Sequence, residues 1–240
     1  MIKEIRHYLT ENANPQKAIF LTNYFRAKHY KLGDTFLGLT VPQVRTTSKK
    51  VGEIPFATLR LLINSRIHEE RLLAVINLIT QFQKKEREKL IFEFYMKEML
   101  VGIDNWDLVD ISADKLVGVY LIDKPELKEY WLYEKLAISA NFWQRRIAMI
   151  ATQHFIKNNH FTDTFRLAEL FLNDKEEIVQ KATGWMLREV GKKQEKLLLD
   201  FLEKNYKKMP RVMLRYSLEK FPLEIRKRYL VSERKIKRSK

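Results

Sequence analysis

Apolar residues recur along almost the whole chain at the three- and four-residue steps of an α-helix. Residues 66–82 show the pattern clearly, with Leu72, Val75, Ile76 and Ile79 at three- and four-residue steps and with Glu69, Glu70 and Gln81 among the polar positions. Such steps line one face of a helix, whereas a half-buried strand needs strict alternation. Alternation of useful length is missing, and no Asn-Gly or Asp-Gly pair marks a hairpin. We therefore predict an all-α fold.

Prolines and glycines indicate where these helices begin and end. Each of the six prolines opens an apolar-periodic run, and proline costs little in a first helical turn, where its missing N–H has no partner. The Asp-Lys-Glu-Glu sequence at 174–177 is typical of a capping box, and Gly191 before two lysines predicts a helix end. The prolines are Pro15, Pro42, Pro55, Pro125, Pro210 and Pro222.

The predicted helices repeat with a regular spacing. The inner members of successive helix pairs are expected near 66–82, 103–121, 141–157 and 175–191, so their starts lie about 34 to 38 residues apart, slightly less than the ~40–47 typical of HEAT and armadillo units. Stacked pairs form a solenoid with a concave binding face. We predict one HEAT-like helical-repeat domain over residues 1–230 with a basic concave face, followed by a basic C-terminal tail at 231–240. A globular helical bundle remains the alternative.

Charge and composition limit the classes of function that the chain can have. The net charge of +15, from 45 Lys and Arg against 30 Asp and Glu, favours a polyanionic partner, nucleic acid before a membrane. No run approaches the ~18–20 apolar residues needed to span a bilayer, and the first residues lack a signal-peptide pattern, so we expect a cytoplasmic protein. The absence of cysteine excludes disulfides and thiolate sites, and the five histidines show no metal-ligand spacing. We therefore expect no metal.

Three tryptophans in the middle of the chain are each followed, one helical turn later, by a charged residue. Trp106, Trp143 and Trp185 follow one another at intervals of about 40 residues. Residues three or four apart share a helix face, so Asp110 is expected beside Trp106 and Arg146 beside Trp143. One tryptophan–charge pair in each repeat predicts a single functional surface that is assembled from successive helices.

The clearest of these faces surrounds Trp185. Lys181, Trp185, Arg188 and Lys192 form one stripe of the predicted helix, while a separate apolar stripe supplies its core face. A tryptophan among basic side chains suits a phosphate backbone with an adjacent stacking surface. This stripe therefore predicts DNA contacts, and its core face is formed by Val179, Met186 and Val190.

Asp110 and Arg146 allow a structural and a functional interpretation. Asp110 shares an apolar stripe with Trp106, where an unpaired carboxylate is costly, so it either holds an arginine across a helix groove or acts in a cleft. Arg146 forms a structural ion pair or clamps a phosphate. Asp107 and Asp114 are interpreted as solvated or capping charges.

The segments 105–110, 141–146 and 180–189 resemble the motifs of the AlkD family, HEAT-like-repeat DNA glycosylases that remove alkylated purines. The similarity covers roughly residues 24–221. It implies removal of cationic lesions such as 3-methyladenine and 7-methylguanine from double-stranded DNA by a monofunctional enzyme, with no cofactor and with the lesion left stacked in the duplex. We expect the protein to act as a monomer.

The resemblance also implies roles for individual residues. Asp110 stabilises the oxocarbenium-like sugar and orients the attacking water, Trp106 and Trp185 pack against the sugar and the backbone, and Arg146 holds a phosphate. Tyr24 matches a tyrosine in the family's second helix. Trp143 is then interpreted as structural support for Arg146.

Two other functions remain as alternatives. The first is a protein of the same fold that binds damaged or branched DNA without catalysis. The second is a protein–protein scaffold, a common use of helical repeats.

Overall fold

A computed structural model describes residues 1–26 and 33–237 of the chain. Helices make up most of this part, and within it the only β-type pairing is an isolated bridge between Thr35 and Ile67. The predicted all-α helical-repeat fold is confirmed. No helix in the described ranges is long and apolar enough to cross a membrane.

The chain divides into two compact units, Met1–Tyr120 and Leu121–Lys240. In the first unit α6 continues as a π-helix over Tyr95–Met99 and a 3-10 turn over Leu100–Gly102, and α7 continues as a π-helix over Ala113–Gly118. The helices of this unit are α1 (Ile2–Glu11), α2 (Pro15–Arg26), α3 (Val41–Val51), α4 (Phe56–Ile63), α5 (His68–Phe82), α6 (Glu88–Phe94) and α7 (Trp106–Ser112), and α8 (Val119–Leu121) spans the boundary.

In the second unit α9 continues as a π-helix over Glu129–Ala137, and α11 ends in a 3-10 turn over Phe171–Asn173. The four predicted inner helices correspond to α5, to α7 with its continuation, to α10 and to α12. The helices of this unit are α9 (Pro125–Lys128), α10 (Phe142–Lys157), α11 (Thr162–Leu170), α12 (Glu177–Lys193), α13 (Glu195–Asn205), α14 (Arg211–Ser217) and α15 (Leu223–Lys237).

The prolines lie at helix starts, as predicted. Pro15 and Pro125 are the first residues of α2 and α9, and Pro42 lies in the first turn of α3. The other three directly precede α4, α14 and α15. The missing proline N–H therefore falls where a helix has no partner for it.

Two local expectations for α12 are wrong. No capping box forms at 174–177, because the carboxylate of Asp174 accepts the backbone N–H of Glu176 at 2.9 Å and also binds Arg145. Gly191 does not end a helix, because α12 continues to Lys193. A Cβ at Gly191 would lie 2.4 Å from Cδ2 of Leu198, so this glycine allows α13 to pack closely.

Helix α5 forms the centre of the first unit. Nearly all of its residues are buried, and it packs against α3, α4 and α7. In the second unit α12 packs against both α10 and α14. Helix α12 packs closely on α14 at Gly184, where a Cβ would meet the Met213 carbonyl oxygen at 2.4 Å. The residues predicted to act in the site lie mainly on α7 and α12.

The backbone of α15 runs from Leu223 to Lys237, so part of the predicted basic tail is helical. Residues 238–240 lie outside the described residues. The single domain over 1–230 stays a prediction.

Candidate functional site

The first turn of α7 presents two of the predicted site residues. Buried Asn105 precedes the helix, and its side-chain oxygen accepts the backbone N–H of Trp106 at 2.8 Å. Trp106 and Asp110 follow one turn apart, and both are half-buried. The next residue of the same stripe, Ala113, is fully buried. The core behind the helix therefore holds in place the backbone that carries Asp110.

Aromatic rings connect α7 to α2. The ring of Phe25 is nearly parallel to that of Trp106, with centroids 5.9 Å apart, and Tyr24 meets Phe25 edge-on at 5.4 Å. Phe25 also stacks on Phe36 at 5.1 Å. Tyr24 and Trp106, which lie far apart in the sequence, thus belong to one aromatic cluster. The two phenylalanines were not predicted, because nothing in their local spacing marks them.

A cavity of about 500 Å³ opens beside this cluster. Its walls are mostly apolar and include Phe20, Tyr24 and Trp106, and Lys17 also lines it. Tyr24 is 39% exposed, so its ring reaches solvent as well as the cavity. We call this space the aromatic pocket.

Ionisable side chains meet where α5 and α7 begin. Nε2 of His68 lies 2.7 Å from Oδ2 of Asp107, and Nδ1 of His68 lies 3.4 Å from the guanidinium of Arg71. Arginine can only donate, so in this geometry Nδ1 of His68 is the acceptor and Nε2–H donates to Asp107. Asp107 is 18% exposed and bonded to a histidine, and Asp114 is 4% exposed. Neither is therefore a solvated charge, but the capping interpretation agrees with Asp107, whose Oδ1 accepts the backbone N–H of Leu108 in the first turn of α7 at 2.9 Å.

Arg71 is the centre of this buried network. Its guanidinium donates to Asp34 at 3.0 Å and lies 3.4 Å from Asp104. Burial acts to lower the pKa of Arg71, but the hydrogen bond to Asp34 and the charge of Asp104 outweigh it, so the pKa is raised. The arginine stays charged and holds the segments before α3 and before α7 to α5.

Glu69 fixes the loop in front of α3. Its carboxylate accepts the backbone N–H groups of Leu37, Gly38 and Leu39 at 2.9, 2.8 and 3.2 Å. Gly38 has φ +82°, and a Cβ there would lie 2.2 Å from the carbonyl oxygen of Asn14. The loop therefore packs against the start of α2, the helix that carries Tyr24.

The polar face of α12 carries the other predicted group of residues. Lys181, Trp185, Arg188 and Lys192 are all partly exposed. The three residues predicted for the core face are fully buried: Val179, Met186 and Val190. The helical wheel around Trp185 therefore predicts the orientation of α12 correctly.

Carboxylates accompany these cations. Trp185 Nε1 donates to Glu189 at 3.1 Å, and Lys192 contacts the same carboxylate at 2.8 Å. Lys181 pairs with Glu177, and Arg188 pairs with Glu219. The spacing of Glu189, four residues after Trp185, would have indicated its contact with the indole N–H.

Arg146 is buried at the start of α10. It is 4% exposed, and its guanidinium donates to the carbonyl oxygen of Ile178 at 2.7 Å, in the first turn of α12. Trp143 is also buried, which agrees with its interpretation as structural support. Arg145 binds Asp174 through two nitrogens, at 2.7 and 3.2 Å, and therefore holds α10 to the segment before α12.

The described ranges contain no group of three or more His, Asp or Glu side chains arranged to hold a metal ion. The polar groups placed for chemistry are carboxylates, cations and indole rings. In the first unit, a carboxylate beside an indole ring suits the stabilisation of a positively charged reacting centre. In the second unit, the cations of α12 suit contacts to phosphates.

Comparisons with known proteins bear on the fold and on the family of the chain. The chain has the fold of a protein from Enterococcus faecalis described as a predicted DNA alkylation repair enzyme, with a TM-score of 0.68, 17% identity, and 88% of this chain and 97% of that one covered. The smu.31 protein of Streptococcus mutans UA159 aligns with a TM-score of 0.51 and 21% identity over 86% of this chain and 97% of that one.

No curated protein sequence matches the chain. A sequence model of the family described as DNA alkylation repair enzyme matches residues 5–221, which is most of the chain. The chain therefore belongs to the DNA alkylation repair enzyme family.

Proposed function

We propose that the chain is a monofunctional DNA glycosylase that hydrolyses the N-glycosidic bond of cationic alkylated purines, such as 3-methyladenine and 7-methylguanine, in duplex DNA. The observation that carries the proposal is the half-buried carboxylate of Asp110, one helical turn from Trp106 and backed by the core. A carboxylate partly withdrawn from water interacts more strongly with positive charge than a solvated one. Family membership supports DNA as the ligand.

The chemistry suits these side chains. The bond between the sugar C1′ and the purine nitrogen breaks, and its electron pair leaves with the cationic base, which becomes neutral without a general acid. Positive charge then develops on the sugar, where Asp110 and the π face of Trp106 stabilise it. Water attacks C1′ and gives its proton to Asp110 or to solvent. We assign no lysine as a nucleophile, so no strand cleavage is expected.

DNA contacts are assigned to Lys181, Arg188 and Lys192, with Trp185 among them. Their ion pairs with glutamates are partly exposed, and such pairs contribute only ~0–1 kcal/mol, so DNA phosphates can replace the glutamates at little cost. Arg146 is assigned to a phosphate near the lesion and Tyr24 to the strand beside Trp106. The net charge of +15 supports this binding mode. We further propose that the enzyme is a cytoplasmic monomer that needs no cofactor.

The test is the release of 7-methylguanine from duplex DNA by the wild type and by Asp110→Asn. We expect the substitution to slow release by roughly a hundredfold or more, since the loss of one preorganised electrostatic group costs about 10²–10³ in rate. Its affinity for DNA should change little. The matched control is Asp123→Asn, which removes the same charge from an exposed position and should release base at the wild-type rate.

Two results would contradict the proposal: no release by the wild type, or full release by Asp110→Asn. DNA binding without release would favour the non-catalytic alternative. The absence of DNA binding would favour a protein scaffold.

A further inference from the structure

One buried side chain, His68, connects the ion network to the aromatic cluster and to the start of α7. Its Nε2–H donates to Oδ2 of Asp107 at 2.7 Å, and its Nδ1 lies 3.4 Å from the guanidinium of Arg71. Its ring stacks on that of Phe36 with centroids 4.9 Å apart, and it lies 5.5 Å from the ring of Phe25. His68 is 3% exposed, so water does not compete for these contacts.

The bond to Asp107 acts on the part of α7 that carries the proposed chemistry. Trp106 directly precedes Asp107 in this helix, and Asp110 follows it by three residues. The other carboxylate oxygen of Asp107 accepts the backbone N–H of Leu108 at 2.9 Å. Asp107 is therefore attached to the backbone of α7 at one oxygen and to His68 of α5 at the other, which fixes the start of α7 relative to α5.

The aromatic cluster gives His68 a second connection to the indole of Trp106. The ring of Phe25 contacts both, with centroid distances of 5.5 Å to His68 and 5.9 Å to Trp106. The proposed hydrolysis needs no general acid, because the departing base is already cationic, so it assigns no proton transfer to this histidine. The contacts of His68 therefore suit the support of reacting groups better than a reaction of its own.

We propose that His68 is a positioning residue, which holds the start of α7 in the geometry that the reaction needs. It touches neither the sugar nor the attacking water, and it acts through its hydrogen bond to Asp107, the direct link to α7. Stabilisation of a developing charge depends on groups that are fixed in advance, and a displacement of about 1 Å can cost roughly 100-fold in rate. The inference rests on the proposed function, since it adds a supporting residue to that reaction.

Two amide variants test the hydrogen bond separately from the ring, which both of them lose. In His68→Gln the amide nitrogen is as many bonds from Cα as Nε2 of histidine and can still donate to Asp107, whereas in His68→Asn it is one bond closer and falls short. We expect His68→Asn to slow the release of 7-methylguanine roughly 10–100-fold in single turnovers with saturating protein, and His68→Gln to recover most of that loss. The affinity for the same duplex should change little in either variant.

Glu70→Gln is the matched control. Glu70 is also buried on α5, but its carboxylate binds Arg6 of α1 at 2.8 Å. The substitution weakens a buried polar contact of the same helix and should leave the rate of base release unchanged. If His68→Asn does not fold by circular dichroism, Asp107→Ala replaces it, because it breaks the same bond from the side of α7.

A second measurement needs no base release. A pyrrolidine in place of one nucleotide sugar of a duplex is protonated and imitates the charge that develops on the sugar, whereas tetrahydrofuran is its neutral counterpart. We expect the wild type to bind the pyrrolidine duplex at least roughly tenfold more tightly than the tetrahydrofuran duplex by fluorescence anisotropy. His68→Asn should lose most of this preference, and His68→Gln should recover it.

The outcomes separate this proposal from the proposed function. A wild-type rate in His68→Asn, an equal loss in both amide variants, or the same loss in Glu70→Gln would overturn the positioning role and leave the glycosylase intact. No release by the wild type would refute the glycosylase, and the two sugar analogues would then decide on His68. A preference for pyrrolidine that the wild type lacks, or that His68→Asn keeps, would overturn its role, whereas a loss in His68→Asn that His68→Gln recovers would support it.

Discussion

Two glycines in α12 are seven residues apart and should respond differently to the same substitution. At Gly184 an added Cβ would lie 2.4 Å from the Met213 carbonyl oxygen and 2.6 Å from Cβ of Tyr216. Neither atom moves without the backbone of α14. At Gly191 the added Cβ would meet Cδ2 of Leu198 at 2.4 Å, but the next nearest atoms are at 3.5 Å. A rotation of the Leu198 side chain removes that conflict.

The expected magnitudes follow from this geometry. Replacing a glycine in a helix interior with alanine gains about 0.8–1.0 kcal/mol of helix propensity at either position. At Gly184 the overpacking of backbone against backbone costs about 1–3 kcal/mol or more. At Gly191 a shifted leucine rotamer costs about 0.5–1.5 kcal/mol. Gly184→Ala should therefore be destabilised by up to roughly 2 kcal/mol or more, while Gly191→Ala stays within about 0.7 kcal/mol of the wild type.

Urea unfolding followed by far-UV circular dichroism measures the difference. Because the chain has two compact units, a single transition cannot be assumed, and hydrogen exchange of α12 and α14 peptides gives a local measure of the same effect. Gly184→Ala should unfold at lower urea and exchange faster in α14. A Gly184→Ala variant as stable as Gly191→Ala, or more stable, would refute the packing argument.

Two further predictions concern charge. Burial and a hydrogen bond of 2.7 Å to Glu203 raise the pKa of Tyr229 to about 12, from an ordinary value near 10. As the pH rises, the Tyr229 hydroxyl loses its proton in the unfolded chain before it does so in the folded one. The stability advantage of the wild type over Tyr229→Phe should therefore be full below about pH 10 and fall as pH rises to about 12. A difference in urea midpoint that stays constant over this range would contradict the prediction. Lys192→Ala should reduce the slope of log affinity for duplex DNA against log salt by roughly one unit, since one phosphate contact is lost. The control is Lys196→Ala, which should keep the wild-type slope. Lys196 lies on α13, and among the ion pairs of the described residues it is paired only with Asp200. Equal slopes for both variants would remove Lys192 from the interface.

Local sequence rules were enough to predict the helices and where they begin. Pro15 and Pro125 lie at helix starts because the requirement they meet is local, an absent N–H in a first turn. The same rules are wrong at Gly191, since a glycine also serves where two helices approach closely, and the sequence does not show the approaching Leu198. The fold class was therefore predictable, whereas the reason for a particular glycine was not.

The residues of the candidate site likewise fall into those that local spacing predicts and those that only the fold brings together. The face of α12 around Trp185 follows from spacing within one helix, and Glu189 was within reach of the same reasoning. The contact between His68 and Asp107 could not be predicted in this way, because 39 residues separate them and only the packing of α5 against α7 brings them together. Phe25 likewise reaches Trp106 through the fold alone.

The charge network around Arg71 also bears on how this part of the sequence can change during evolution. Arg71 binds Asp34 and Asp104 and also contacts His68. His68 in turn binds Asp107, which lies in the first turn of the helix that carries Trp106. Loss of either partner of a buried ion pair leaves an uncompensated charge, which typically costs ~3–5 kcal/mol, whereas their joint replacement by apolar residues is often neutral. Neutral drift at these positions is therefore expected to occur by paired replacements, so that Asp34 and Arg71 should vary together among relatives of this chain.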